Sequence, residues 1–213
     1  MWIQRFFSSL ALSGAFLATA PAIAQTAPDA LVKQVSNEVI DAVKADKAIQ
    51  AGDVQRINAL VDSKVMPHVN FQRMTSACVG RYWRSATPQQ QRRLQDEFKT
   101  LLVRTYAGAL TQVKEQTTVA LKPLRSQPTD NEVVVRTEVR NSGSEPIQLD
   151  YRVEKAADTW RVYDINVGGI WLVEQYRNSF AQEIGASGVD GLIAKLAERN
   201  KSTGGSKSAA SKG

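Results

Sequence analysis

Residues 160–180 read W-R-V-Y-D-I-N-V-G-G-I-W-L-V-E-Q-Y-R-N-S-F, and the spacing of their apolar side chains changes once. Residues 160–167 are rich in aromatic and β-branched side chains, which is typical of a short strand. Gly168 and Gly169 interrupt that strand. Beyond them, apolar side chains recur on one helical face, at Leu172, Val173, Tyr176, Phe180 and Ile184. The stretch therefore predicts a strand, a glycine elbow and an amphipathic helix that share one apolar space.

The first 24 residues have the features of a cleaved signal peptide. Arg5 supplies the positive charge, residues 6–18 are mostly apolar, and Ala22-Ile23-Ala24 precedes the predicted cleavage. The apolar run is shorter than the ~20 residues of a membrane-spanning helix. Because Gln25 rather than a cysteine follows the cleavage site, a lipid anchor is not expected. We expect an exported, soluble mature protein.

The remaining chain is predicted to form one domain, residues 25–200, and a flexible basic tail, residues 201–213. The whole chain has a formal net charge of +6. Four basic residues lie outside the predicted domain, which leaves +2 on it: Arg5, Lys201, Lys207 and Lys212. Such a small charge, with both signs mixed along the chain, argues against nucleic-acid binding.

The first half of the mature chain is predicted to be helical. Apolar residues spaced by four start at Leu31, and Gly52-Asp53 indicates the end of one helix and the N-cap of the next. Pro67 ends this second helix. We expect the two helices to pack as a hairpin.

Two further helices have clear start signals. Asn70 is a suitable N-cap for a short helix over residues 71–79, closed by Gly80. The sequence T-P-Q-Q from Thr87 predicts a capping box at the start of a long helix over residues 88–113.

The second half changes to the period of a sheet. Four segments are predicted to be strands joined by polar turns: residues 119–121, 132–140, 147–153 and 160–167. After the elbow helix, Gly185 and Gly188 precede a final helix from Asp190. We expect an α+β fold, in which a curved four-stranded antiparallel sheet carries helices on one face and an apolar cavity lies between them.

Residues that carry chemistry are scarce. Cys78 is the only cysteine, so an internal disulfide is impossible and the thiol is expected to be buried as a small hydrophobe. His68 is the only histidine, so no metal site of the usual ligand sets is expected. The chain also lacks the nucleophile and nucleotide motifs of common enzymes. We expect no catalytic residues, although a hydrolase with a carboxylate pair stays open as an alternative.

Three carboxylates are candidates for the pair that a hydrolase would need. Asp150 and Glu154 fall on the predicted polar face of the sheet, where charged side chains are ordinary. Asp164 is flanked by Tyr163 and Ile165, and it is the carboxylate for which a buried partner such as an arginine is to be sought.

Large apolar side chains are abundant around the predicted sheet. They fit a simple core, and they equally fit a cavity for an apolar ligand. The periodicity alone leaves both interpretations open.

Several stretches occur in a characteristic order. They are P-H-V-N-F-x-R-M, G-R-Y-W-R-S-A-T-P-x-Q, L-L-V-R-T-Y, V-x-T-E-V, L-D-Y-R-V, W-R-V-Y-D-I, Y-R-N-S-F and G-V-D-G-L-I. Together they resemble the toluene-tolerance family, the periplasmic phospholipid-carrying proteins of the maintenance-of-lipid-asymmetry pathway in Gram-negative bacteria. The resemblance extends from Leu31 to about Leu196. One departure is that Gly168 and Trp171 stand where the family often has an acid and a serine.

The resemblance implies a monomeric periplasmic carrier that buries the acyl chains of a glycerophospholipid and shuttles lipid to maintain outer-membrane asymmetry. It implies no cofactor, with phospholipid as cargo. It also implies docking to an inner-membrane ABC-type lipid transporter complex and to an outer-membrane lipoprotein–porin complex. A periplasmic chaperone-like module that binds apolar polypeptide segments is the main alternative.

The lipid cavity is predicted to be lined from three sides. The sheet contributes Val133, Val135, Leu149, Tyr151 and Val153. The helical wall contributes Phe98, Leu101, Leu102 and Tyr106. The residues expected near the mouth are Tyr82, Trp83, Trp171, Val173 and Tyr176.

Overall fold

The computed structural model describes residues 26–127, 129–157 and 159–205. The predicted signal peptide and residues 206–213 of the predicted tail lie outside the described residues. Along the described chain the helices are α1 (Pro28–Ala45), α2 (Lys47–Gln50), α3 (Val54–Leu60), α4 (Phe71–Val79), α5 (Pro88–Leu110) and α6 (Leu172–Gly205). The strands are β1 (Thr118–Leu121), β2 (Glu132–Arg140), β3 (Ile147–Ala156), β4 (Thr159–Val167) and β5 (Ile170–Trp171).

Helices α2 to α5 begin where side chains satisfy free backbone amides. The Asn70 side chain accepts a hydrogen bond from the Arg73 amide at 3.0 Å, and Gly80 ends α4 with a φ of 64°. At the start of α5, Thr87 and Gln90 form the predicted capping box. The first predicted helix is divided, however, because the Asp46 side chain caps α2 by accepting from the amides of Ala48 and Ile49.

The five strands form one antiparallel sheet in sequence order. Four match the predicted strands, and β5 is an addition. Val167 pairs with Ile170 across Gly168 and Gly169, whose φ angles are 59° and 95°. A two-residue hairpin turn of type I′ requires positive φ at both central positions. The predicted glycine elbow is therefore first a β-hairpin, and α6 begins one strand later.

A bulge keeps the apolar side chains of β4 on one face. Arg152 pairs with Asp164, but the next residue, Val153, pairs with Val162, so Tyr163 is the extra residue of the bulge. Because of this shift, both Val162 and Ile165 lie on the face that carries Val153.

Helices cover this apolar face. Helix α1 contacts β1 and β2, whereas α4 and α6 contact β4 and α5 packs on α4 and α6. A second, smaller core cluster lies between α1–α3 and α5, formed by Val43, Ile49, Ile57, Leu60, Val103 and Ala107. The predicted α+β class, with helices on one face of an antiparallel sheet, is confirmed.

Helix α6 is broken and longer than predicted. Gly188 has a φ of 73° and a ψ of −178°, so two helices meet there, as the glycine spacing predicts. The second of these helices continues to Gly205. The first residues of the predicted tail, 201–205, are thus helical.

None of the helices described is long and apolar enough to cross a membrane.

The thiol of Cys78 provides a test of the core. It is 1% exposed, and burial raises its pKa to about 12. Because the thiolate is the reactive form, we expect the native protein to resist 5,5′-dithiobis(2-nitrobenzoate) at pH ~8 and to react fully in guanidinium chloride. Rapid stoichiometric labelling of the native protein would contradict this burial.

Candidate functional site

The apolar layer between sheet and helices is the candidate site. Val153 pairs with Val133 on one side and with Val162 on the other, and the next row joins Val135, Tyr151 and Ile165. Residues that pair across strands project to the same face. These rows therefore form a continuous apolar floor under α1, α4 and α6.

Aromatic rings form part of the opposite wall. The ring of Phe98 on α5 lies 5.7 Å from that of Phe71, 4.9 Å from that of Tyr176 and 5.2 Å from that of Phe180, measured between centroids. Phe98 is fully buried. The contacts join α4, α5 and α6, so the wall opposite the sheet is held as one unit.

The floor extends beyond its helical cover at one end. Val139 pairs with Ile147, and Leu149 pairs with Val167, which in turn pairs with Ile170. Ile147 is 44% and Ile170 is 56% exposed, whereas Val153 is 0% exposed. The apolar face is thus sealed at the Val153 end and open at the Ile147–Ile170 end, which we call the open rim.

The polar groups in the buried middle of this face are uncharged. The Thr137 hydroxyl donates to the carbonyl of Leu149 at 2.9 Å, and the Tyr151 hydroxyl lies within reach of Ser36 on α1. Burial raises the pKa of Tyr151 above its ordinary value, so the phenol stays neutral at physiological pH. Such a layer can accept hydrocarbon without leaving a charge unsolvated.

Most of the predicted cavity residues come together here. Those that belong to the main core cluster, or pack against it, are Tyr82, Trp83, Phe98, Leu101, Leu102, Tyr106, Val133, Val135, Tyr151, Val153, Val173 and Tyr176. Leu149 lies on the same face at the open rim. Their contact with lipid stays a prediction.

Trp171 is in a different place from the one predicted. It pairs with Asn166 in β5, and its ring lies 3.9 Å from the guanidinium carbon of Arg152, on the polar face of the sheet. The reason is the hairpin at Gly168-Gly169: two strand residues follow it, and alternation directs Ile170 to the apolar face and Trp171 to the other. A Val-Gly-Gly-Ile hairpin signal in the sequence could have identified Ile170 as the rim residue.

Asp164 does have an arginine partner. Its Oδ2 accepts from Arg152 at 2.9 Å, and its Oδ1 accepts from the amide of Val173 in the first turn of α6 at 3.1 Å. Burial raises the pKa of this carboxyl above 3.8, although the hydrogen bonds from Val173, Ile165 and Arg152 oppose the rise. The carboxylate therefore joins β4 to α6.

The other two carboxylates considered for catalysis are also engaged. Asp150 accepts from Gln148 at 2.9 Å, and Glu154 binds both Asn70 and Arg73. His68 lies in a 3-10 turn. Within the described ranges, no three His, Cys, Asp or Glu side chains cluster so as to hold a metal ion.

Comparison with known families agrees with this architecture. The family model described as MlaC protein matches residues 33–198. The chain belongs to the MlaC family. This confirms the predicted membership in the toluene-tolerance and lipid-asymmetry group.

Two curated relatives are similar to this chain over most of its length. The chain is 26% identical to the intermembrane phospholipid transport system binding protein MlaC of Haemophilus influenzae, over 85% of this chain and 86% of that protein. It is 25% identical to the toluene tolerance protein ttg2D of Pseudomonas putida, over 79% of this chain and 78% of that protein.

A solved structure also matches the fold closely. It is that of a phospholipid-binding protein from Ralstonia solanacearum in complex with a phospholipid, with a TM-score of 0.81 and 47% sequence identity. The match covers 84% of this chain and 99% of that chain.

The position of Trp171 gives a direct test of which face is the site. Trp171→Ala should leave the amount of bound phospholipid unchanged, because the ring contacts Arg152 on the polar face, and should cost about 1 kcal/mol of stability through the lost cation–π contact. Native mass spectrometry and urea unfolding measure the two effects. Loss of lipid from a variant that remains folded would contradict this prediction and would indicate that Trp171 lines the cavity.

The buried carboxylate gives a second test. Asp164→Ala should lower the free energy of unfolding by about 3 kcal/mol, because Arg152 loses its buried partner and the Val173 amide loses its acceptor. Asp164→Asn keeps an oxygen acceptor and should cost less. Urea unfolding of both variants and the wild type measures these costs, and an alanine variant as stable as the wild type would contradict the proposed tie.

The stability of the wild type relative to Asp164→Asn should change with pH in one definite direction. Because the folded-state pKa of Asp164 is raised, the folded chain keeps this proton to a higher pH than the unfolded chain does. The stability of the wild type relative to Asp164→Asn should therefore fall as pH rises from 3.8 through the raised pKa. A relative stability that increases with pH over this window would contradict the assignment.

Proposed function

We propose that the mature chain is a soluble periplasmic carrier of glycerophospholipid, with the acyl chains held in the apolar layer between the sheet and the helices. The observation that carries the proposal is the 47% identical Ralstonia solanacearum protein of the same fold, which binds a phospholipid. The neutral, apolar character of the layer in this chain supports it independently.

The half-buried members of the layer are the ones proposed to contact the acyl chains. They are Tyr82, Trp83, Leu102, Tyr106, Leu149 and Tyr151. Fully buried residues such as Phe98 and Val153 already pack on protein atoms, so they are proposed to form the support behind the chains. Lipid would enter across the open rim, past Ile147 and Ile170.

Energetics favour a wall without strongly specific contacts. Two acyl chains of roughly 16 carbons, at about 0.8 kcal/mol per CH₂, are about 25 kcal/mol less stable in water than in hydrocarbon. In a bilayer these chains are already out of water, so a carrier needs only a space about as apolar as the membrane. Loading and unloading then stay nearly balanced, and a strongly specific polar site would slow release.

The proposed location and partners of this chain also rest on its similarity to known proteins. The Haemophilus influenzae relative is named as a binding protein of an intermembrane phospholipid transport system. We infer that this chain is exported by cleavage of residues 1–24 and works as a monomer that maintains outer-membrane lipid asymmetry. Its partners would be an inner-membrane transporter complex and an outer-membrane lipoprotein–porin complex. The proposed role needs no cofactor and no catalytic step.

A tryptophan placed at the rim tests the lipid site. Gently isolated wild-type protein should carry a bound mass near that of one phospholipid in native mass spectrometry. Leu149→Trp should reduce the lipid-bound fraction about tenfold by filling the space, with only ~1–2 kcal/mol lost because Leu149 is half-buried. Val153→Trp should instead destabilise the fold more, because Val153 is 0% exposed.

Gln148→Trp is the matched control, since Gln148 is the neighbouring residue on the opposite face and is exposed. It should keep its lipid. A wild-type protein that is consistently free of lipid, or equal occupancy in Leu149→Trp and Gln148→Trp, would contradict the proposed site.

A further inference from the structure

Within the described chain, part of strand β2 has no paired strand on its outer side. β1 pairs with Thr137–Arg140 of β2, and one more hydrogen bond runs from the Lys122 amide to the Arg136 carbonyl at 2.9 Å. The chain then turns away at Pro123, which has no amide hydrogen to continue a ladder. Residues 132–135 of β2 are left beyond the end of β1.

The unpaired backbone groups can be assigned from the ladder. Alternate residues of an antiparallel strand direct both N–H and C=O to the same neighbour. Because the Arg136 carbonyl points toward β1, the groups of Val134 and Glu132 point to that side as well. No backbone hydrogen bond joins them to residues 122–127 or 129–131. We call this stretch, residues 132–134, the open edge.

A groove of about 750 Å³ lies beside the open edge, with Val134 in its lining. It also contains four basic side chains and two acidic ones: Lys122, Arg125, Arg136 and Arg152, with Asp130 and Glu132. The groove is therefore positively charged and combines a backbone edge with charged walls.

Several of these charges are already neutralised. Lys122 binds Glu138 at 2.7 Å, and Glu132 binds Arg73 at 2.7 Å. Arg152 binds the buried Asp164.

Two basic side chains are left over. Arg125 and Arg136 are exposed, and neither takes part in an ion pair within the described part of the chain. Asp130 accepts from the Gln127 amide at 2.7 Å, so its carboxylate is directed into its own loop. Asp150, opposite Arg136 in the ladder, is 7% exposed and out of reach of a ligand.

We propose that this groove docks an extended acidic segment of a partner protein. The segment adds as a strand beside residues 132–134 and places carboxylates against Arg125 and Arg136. Strand addition satisfies the backbone groups of Val134, and the carboxylates satisfy the two free guanidinium groups. A small anion would engage the arginines and leave the edge unpaired. The inference concerns partner docking and does not depend on lipid carriage.

Fluorescence anisotropy with three labelled peptides tests the proposal on the full mature protein. The acidic peptide T-E-V-E-V-E-T should bind, and T-K-V-K-V-K-T should bind at least about tenfold more weakly. A version of the acidic peptide with N-methyl groups on alternate amides has the same charge but cannot form a ladder. It should also bind at least about tenfold more weakly.

Variants of the protein separate the two contributions. Arg125→Glu with Arg136→Glu should weaken binding of the acidic peptide at least about tenfold. Arg92→Glu with Arg93→Glu, on the exposed side of α5, is the matched control and should change it less than about twofold. Val134→Pro removes an amide hydrogen that has no backbone partner among the described residues, and it also fixes φ near about −65°. It should weaken binding while β2–β3 pairing is kept.

Each contrary outcome overturns the proposal. If no binding is detected at ~1 mM acidic peptide, the docking proposal is wrong, since weaker binding would not be specific. Equal binding of the N-methylated peptide, or full competition by equimolar inorganic phosphate, would indicate an anion site only. If Val134→Pro does not fold by circular dichroism, the N-methylated peptide alone decides the question of strand addition.

Discussion

The hydrogen bonds of the Asp164 carboxylate join the sheet to helix α6. This carboxylate accepts hydrogen bonds from Arg152 of β3 and from the Val173 amide in the first turn of α6. Its own strand, β4, lies between these two elements. Because one side chain fixes both, α6 leaves the sheet in a direction that brings Tyr176 and Phe180 over the apolar face. This joint adds to the contacts of α1 and α4 with the strands in holding the wall over the sheet.

The two faces of the sheet serve different purposes because the ion pairs that involve its strands lie on one of them. On the polar face, Arg73 contacts the ring of Tyr163 and binds Glu132 and Glu154, while Arg152 contacts Trp171. On the apolar face, the polar groups are neutral hydroxyls such as that of Tyr151. Burying a charge is costly, so ionic contacts tie the structure together outside the layer that we propose holds hydrocarbon. A carrier and a docking surface can therefore share one thin sheet.

Local signals in the sequence predicted much of this structure. The Asn70 cap, the Thr87 capping box and the alternation of β2 each depend on residues only a few positions apart, so they were recognised directly. The bulge at Tyr163 and the strand β5 depend on which residues of β3 and β4 lie opposite each other. For this reason Trp171, predicted at the mouth of the cavity, is found on the polar face of the sheet.

The sequence by itself determined the α+β class, the helix caps, the burial of Cys78 and the family. The family was recognised from its resemblance to known members over several collinear motifs, and the other three follow from composition or from short-range spacing, which backbone geometry fixes locally. Only the tertiary structure decided which end of the apolar layer is open, which arginines are left without partners and where β1 stops covering β2. Those features are set by registers and contacts between residues far apart in the chain, and a one-residue shift of register reverses the face on which every side chain lies.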